Sequence, residues 1–179
     1  MANHQVNGPE PLVLRPLAAA DEAEARRAHA ELASDGFEFL FDLRPDEPWA
    51  AYLARLTDQS EGRHLRVGMV RGIFLVAEVG GALVGRVSLR PELNASLAVV
   101  GGHIGYGVRP GFRRRGYATA ILAQALVLVR GLGVGRALVT CDDANVGSAA
   151  TIERCGGVLE SIVTAPGAET SSRRYWIDT

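Results

Sequence analysis

The segment Ile104–Ala120, IGYGVRPGFRRRGYATA, is the most informative stretch of the chain. Ile104, Tyr106 and Val108 alternate with glycines at the period of a strand, and Pro110 stops it because proline has no N–H for a sheet ladder. Beyond it, Ala118, Ile121, Leu122, Ala125 and Val129 form one apolar stripe at helical spacing, which predicts a helix over residues 116–130. Three consecutive arginines, Arg113, Arg114 and Arg115, stand at the junction. The unpaired N–H groups at a helix start and the helix dipole, about half a positive charge, repel cations and attract anions. Arginines crowded there are costly unless an anion binds, and Gly116 and Ala118 are small enough to let one approach the backbone. The junction is therefore expected to hold a pyrophosphate.

Strands and helices can be followed outward from this junction. Upstream, Leu12–Leu17 reads as a strand and Ala19–Ala33 as a helix of strong formers ending before Gly36. Trp49, Tyr52, Leu53 and Leu56 recur at the spacing of a second amphipathic helix. Ile73–Val79 and Leu83–Leu89 are strands joined at Gly80-Gly81, a pair that supplies the positive φ of a tight hairpin turn. Pro91–Gly102 reads as a loop, with Leu97–Val100 as a strand extension. Downstream, Arg136–Cys141 is a strand, Ser148–Arg154 a short helix stopped by Gly156-Gly157, and Val158–Val163 and Arg173–Ile177 the last strands. Gly131-x-Gly133-x-Gly135 follows a helix and precedes a strand, the reverse of a dinucleotide-binding turn, and reads as a helix stop. The expected fold is an α/β domain with a mixed sheet of about seven strands and four helices: a disordered lead-in over residues 1–10, then a single domain over 11–179.

Composition excludes whole classes of chemistry. All 19 basic side chains are arginine and none is lysine, which removes Schiff-base catalysis and the lysine-bearing phosphate loop. A net charge of −1 creates no field for nucleic acid. Cys141 and Cys155 form no CxxC pair, so neither a disulfide framework nor a metal site is expected and the setting is expected to be reducing. Ile121–Val129 is too short to cross a bilayer and the N-terminus has no apolar leader, so the expectation is a cytoplasmic protein without membrane or nucleic-acid partners.

The string Val108–Ala118 resembles the acetyl-CoA signature of the GNAT acetyltransferase superfamily, R/Q-x-x-G-x-G/A after a strand. Arg113, Gly116 and Ala118 stand at its three defined positions. The strand before it, the long helix after it, and Asn145-x-x-Ser148 leading into a short helix complete the likeness, which is nearest to ribosomal-protein N-terminal acetyltransferases. The resemblance implies an acyl-CoA N-acyltransferase fold whose central strands splay between Tyr106–Val108 and Thr140–Cys141. Pantetheine would pair with the backbone at Tyr106 and Val108. The pyrophosphate would sit on Arg113, Arg114, Arg115, Gly116, Tyr117, Ala118 and Thr119, with Asn145 on the pantetheine arm and Ser148 near the sulfur.

The implied activity is direct acetyl transfer from acetyl-CoA to an amine of a small molecule or peptide N-terminus. An acyl-CoA-binding sensor, or transfer of another acyl group, is the alternative. Many family members use a tyrosine on the short helix to protonate the leaving thiolate, but Ile152 stands at that position here. Ser148 is the nearest substitute for this acid, ahead of Cys155. An imidazole ordinarily titrates near neutrality, which makes His103 the candidate base, acting through a water; Glu78, Glu92 and Asp142 are its rivals. The stretch Phe37–Tyr52, with Glu38, Asp42, Asp46 and Glu47, falls where the family binds its acceptor, and those carboxylates suit a cationic amine. The last strand is expected to offer an edge for a homodimer.

Overall fold

In the computed structural model, which describes residues 11–179, apolar alternation produces seven strands: β1 (Val13–Arg15), β2 (Ile73–Val79), β3 (Ala82–Leu89), β4 (Ile104–Val108), β5 (Arg136–Asp142), β6 (Val158–Val163) and β7 (Ser172–Asp178). The expected lead-in over residues 1–10 lies outside the described residues. Five α-helices join the strands: α1 (Glu22–Ala33), α2 (Trp49–Glu61), α3 (Ala95–Val99), α4 (Tyr117–Gly131) and α5 (Val146–Arg154). The sheet order is β1-β2-β3-β4-β5-β7-β6, antiparallel except for the parallel pair β4 and β5. Gly80 and Gly81 turn the β2–β3 hairpin with φ of 59° and 78°, the left-handed values the glycine pair predicts.

Successive side chains of a strand point to opposite faces, and β2 divides its residues accordingly. Leu75 and Ala77 join the core under α4 and α5 with Ile121, Leu122, Ala125 and Ile152. Phe74 and Val76 join a second core with Ala25, Ala28 and Leu32 of α1 and Trp49 and Tyr52 of α2. One face of the sheet thus carries α1 and α2, and the other carries α4 and α5. Arg109 locks α1 in place. Its buried guanidinium bonds Glu31 at 2.8 Å, Glu24 at 2.9 Å and the Leu83 carbonyl at 2.7 Å, a charge compensated on the spot and costly to strand by removing its partners.

Two expectations need correction. Among the described residues there are five α-helices rather than four, because residues 95–99 form α3 where a strand extension is expected over Leu97–Val100. Asn94 turns the chain there: its side-chain oxygen accepts from the Leu97 N–H at 2.8 Å, an N-cap that favours a helical turn over an extended run. The last strand, β7, is not an edge. It lies between β5 and β6, paired along both sides, and the free edge on this side is β6, which exposes Val158, Leu159 and Ile162.

Candidate functional site

The β4–β5 seam positions the site. β4 is paired with β3 along its whole length, but against β5 it has one register position, Ile104 opposite Val139. A hydrogen bond from His103 N–H to the Leu138 carbonyl, 2.7 Å, closes the same end. Beyond it the strands part, leaving β4 with unpaired backbone from Gly105 onward on its β5 side, an edge that an extended arm can satisfy as an added strand does.

A cavity of about 730 Å³ fills this opening and reaches both faces of the sheet. Tyr106 and Val108 of β4, Asn145, Ser148 and Thr151 of α5 and its cap, and Arg113, Arg114 and Gly116 through Thr119 of the turn line it on the α4–α5 side. Leu32, Asp35 and Phe37 line it on the α1 side. Of the residues the sequence singles out, Arg115 and His103 are absent from these walls.

The turn before α4 has the geometry of an anion cradle. Arg114 and Gly116 take left-handed φ of 63° and 83°, and a Cβ placed on Gly116 would have nothing within 4 Å. Among the described residues the turn and cap hydrogen bonds include a donor at Arg113 and at Ala120 but none from 114 to 119, so that run of N–H groups is free to bind phosphate oxygens. The three arginines differ in what they offer. Arg113 is tied down by the Val108 carbonyl at 3.1 Å and by Asp35. Arg114 lines the cavity with an exposed side chain. Arg115 is exposed outside the wall, its guanidinium 5.6 Å from the Phe112 ring. Arg154, at the end of α5, joins the site unforeseen, reaching the Thr119 hydroxyl at 3.5 Å. Its proximity depends on how α5 docks against α4, which no local sequence pattern encodes.

The Asn145 side-chain oxygen caps α5 by accepting from the Ser148 N–H at 3.0 Å. Across the cavity the Ser148 and Tyr106 hydroxyls are 3.0 Å apart. Burial pushes the Tyr106 phenol up to about 12, so it is a neutral donor at physiological pH. Ile152 is fully buried in the core and has no proton to give. Cys141 and Cys155 are free, and burial raises both thiols above their ordinary value, which keeps them protonated and weakly nucleophilic.

His103 takes a different place from the one its chemistry suggests. Its ring Nδ1 accepts the Leu138 N–H at 2.9 Å, and burial lowers its pKa below the ordinary value. A neutral imidazole with Nδ1 accepting carries its proton on Nε2, so no lone pair is left to take a proton. His103 is a clasp across the closed end of the β4–β5 seam and does not line the cavity, a placement that speaks against the expected general base. Glu78 is bound to Arg15, and Asp142 accepts from Ala144 N–H at 2.8 Å. Asp35 is the one carboxylate among the lining residues, and Arg113 holds it.

The residues present fit acetyl-CoA: a free N–H run for the pyrophosphate, an unpaired strand edge for the pantetheine amides, and hydroxyls at the inner end. Comparison with known proteins agrees. A family model described as an acetyltransferase (GNAT) domain matches residues 11–158. Among solved structures, Mycobacterium smegmatis RimJ in complex with CoA-disulfide is 21% identical with a TM-score of 0.68, over 96% of this chain and 86% of that one. The microcin C7 self-immunity acetyltransferase MccE, in complex with acetyl-CoA and AMP, is 17% identical with a TM-score of 0.65, over 96% and 94%. Spermidine N-acetyltransferase from Vibrio cholerae, in complex with CoA and spermine, is 20% identical with a TM-score of 0.61, over 93% and 95%. No curated protein matches the sequence. Among the described residues no helix is long and apolar enough to cross a membrane.

Proposed function

This chain belongs to the GNAT acetyltransferase family, an acetyl-CoA-dependent N-acetyltransferase by that membership, and on that premise we propose that it transfers the acetyl group directly to an amine with Ser148 as the acid. Acetyl-CoA supplies the thioester: the acceptor nitrogen takes the acetyl carbon, the C–S bond breaks, and the sulfur leaves needing a proton. The observation that carries the reading is the hydroxyl pair Tyr106 and Ser148, 3.0 Å apart on the cavity wall. Ser148 gives its proton to the sulfur and takes one from Tyr106, and the phenolate so formed regains its proton from solvent, as a pKa pushed up to about 12 requires. This replaces the donor that Ile152 lacks.

No base is assigned to the protein. With His103 committed to Leu138 and Asp35 to Arg113, the amine loses its first proton to solvent, and the second passes to solvent water as the C–N bond forms. The raised thiols of Cys141 and Cys155 argue against an acetyl-cysteine intermediate and for direct transfer. Two free cysteines also suit a reducing, cytoplasmic setting.

Thiol release from acetyl-CoA in the presence of a broad amine panel tests the proposal. Release that depends on the amine, with kcat/KM rising as pH climbs through the acceptor's own ammonium pKa, is the expected result. Acetyl-CoA binding with no release for any amine would overturn it in favour of a sensor.

A further inference from the structure

Acetyl-CoA carries a second anionic group besides the diphosphate that the cradle before α4 fits. The free N–H run of residues 114–119 suits the diphosphate, a bridge between two esters. A separate 3′-phosphate stands on the same ribose. That group is a monoester, with about −1.5 to −2 charge at neutral pH. Among the described residues the cavity wall carries the guanidiniums of Arg113, Arg114 and Arg154, and the three are not equivalent.

Arg113 is engaged within the protein, by Asp35 and by the Val108 carbonyl. Arg114 rises from the cradle itself, and its own N–H opens the free run. Arg154 comes from a different element, as the last residue of α5. Among the described residues neither Arg114 nor Arg154 forms an ion pair. The Arg154 side chain is exposed, and its bond to the Thr119 hydroxyl, 3.5 Å, is longer than the usual N–H···O range. Thr119 lies in the first turn of α4, so this guanidinium stands over the positive end of that helix, where a cation is disfavoured. The neighbouring carboxylate does not compensate it, because Glu153 accepts from the Tyr175 hydroxyl at 3.0 Å.

The direction of α5 decides which part of the cofactor Arg154 meets. Gly147, Ser148, Ala150, Thr151 and Arg154 all line the cavity, a spacing that puts one face of the helix beside the ligand. Ser148 is at the sulfur end on the reading above, against Tyr106. From Ser148 to Arg154 the helix rises about 9 Å, away from the sulfur and toward the cradle that takes the diphosphate. Arg154 is therefore at the nucleotide end.

We infer that Arg154 holds the 3′-phosphate of the cofactor and makes this protein select CoA thioesters over their 3′-dephospho counterparts. The inference rests on the acetyl-CoA reading of the cavity and adds a specificity-determining residue to it. A planar guanidinium gives a phosphate two parallel hydrogen bonds, and the anion placed there relieves the cation over the start of α4.

Calorimetry with CoA and 3′-dephospho-CoA, probes that differ by that phosphate alone, tests this on the full chain without turnover. The wild-type protein is expected to bind CoA about tenfold tighter or more, the worth of a charge-assisted pair, with a margin that narrows as salt is raised. In Arg154→Gln the CoA affinity is expected to fall to that of dephospho-CoA, whose own affinity barely moves. Arg154→Glu, which sets a like charge against the phosphate, is expected to invert the preference. Equal affinities in the wild-type protein, or a margin undiminished in both variants, would overturn the inference. A loss by the same factor for both probes would also overturn it, by placing Arg154 on the diphosphate. Failure of both probes to bind the wild-type protein would bring down the acetyl-CoA reading as well, whereas tight binding of both alike removes only the 3′-phosphate site.

Discussion

The proposed acid role makes a unit of Ser148 and Tyr106: a serine hydroxyl is a poor acid in water, and here a neutral phenol stands 3.0 Å behind it. General acid catalysis typically contributes 10²–10⁴-fold, so Ser148→Ala is expected to lower kcat by about 100-fold while acetyl-CoA affinity changes little. Tyr106→Phe keeps the ring and is expected to cost on the order of 10-fold, the worth of one hydrogen bond. Steady-state rates with the best amine, alongside CoA titrations, check both; a wild-type kcat in Ser148→Ala removes the residue from the mechanism. His103 gives a prediction of another kind. Its folded pKa lies below the ordinary 6.5, so the unfolded chain binds more protons in the window below 6.5. The stability from this group is complete above 6.5 and is lost as pH falls toward the folded value. His103→Gln is expected to flatten the fall of the urea midpoint in that window and to leave the shape of the rate profile unaltered. A rate profile that loses a limb in His103→Gln would restore His103 as a base. Type and position made His103 a base candidate in the sequence. The Leu138 N–H that occupies its lone pair is 35 residues away, and no local pattern reports it.

At the scale of elements, the start of α4 is where sequence and structure agree most closely. Helical stripe, small residues and arginines lie within one short segment, and local geometry alone turns them into a cradle. Gly116→Glu adds a carboxylate where phosphate is expected and forces a side chain onto φ 83°. Juxtaposed like charges cost several kcal/mol, so acetyl-CoA affinity is expected to fall by about 100-fold or more by calorimetry. Unchanged affinity would move the pyrophosphate elsewhere. The β2–β3 hairpin was equally legible, since Gly80-Gly81 admits one tight turn. Two other elements were not. Helix α3 hangs on a single cap from Asn94, too weak a signal against a branched run such as Leu97–Val100. Strand β7 was readable as a strand but not by its position, because pairing order is a property of the whole sheet.

The whole molecule is two half-sheets hinged at a seam, β1-β2-β3-β4 and β5-β7-β6, joined by pairing at Ile104–Val139 and by the His103 clasp. A ligand that fills the opening bonds to both halves and is present only in the folded state. Acetyl-CoA at 100 times its dissociation constant adds about 2.7 kcal/mol, which for a chain of this size raises Tm by about 5–10 °C. Differential scanning fluorimetry reads the shift, and in Gly116→Glu at the same concentration it is expected to vanish. A shift of equal size in both proteins would mean that CoA stabilises through another surface. Strand and helix order apart from α3, the anion cradle and the family resemblance follow from the residues alone, because each rests on local backbone preference or on neighbours a few positions apart. Folding decides the rest: that β7 lies inside the sheet, that His103 bridges to Leu138, and that the Tyr106 and Ser148 hydroxyls meet at 3.0 Å. Each of those joins residues distant in sequence, where burial and pairing, rather than local propensity, set which groups meet.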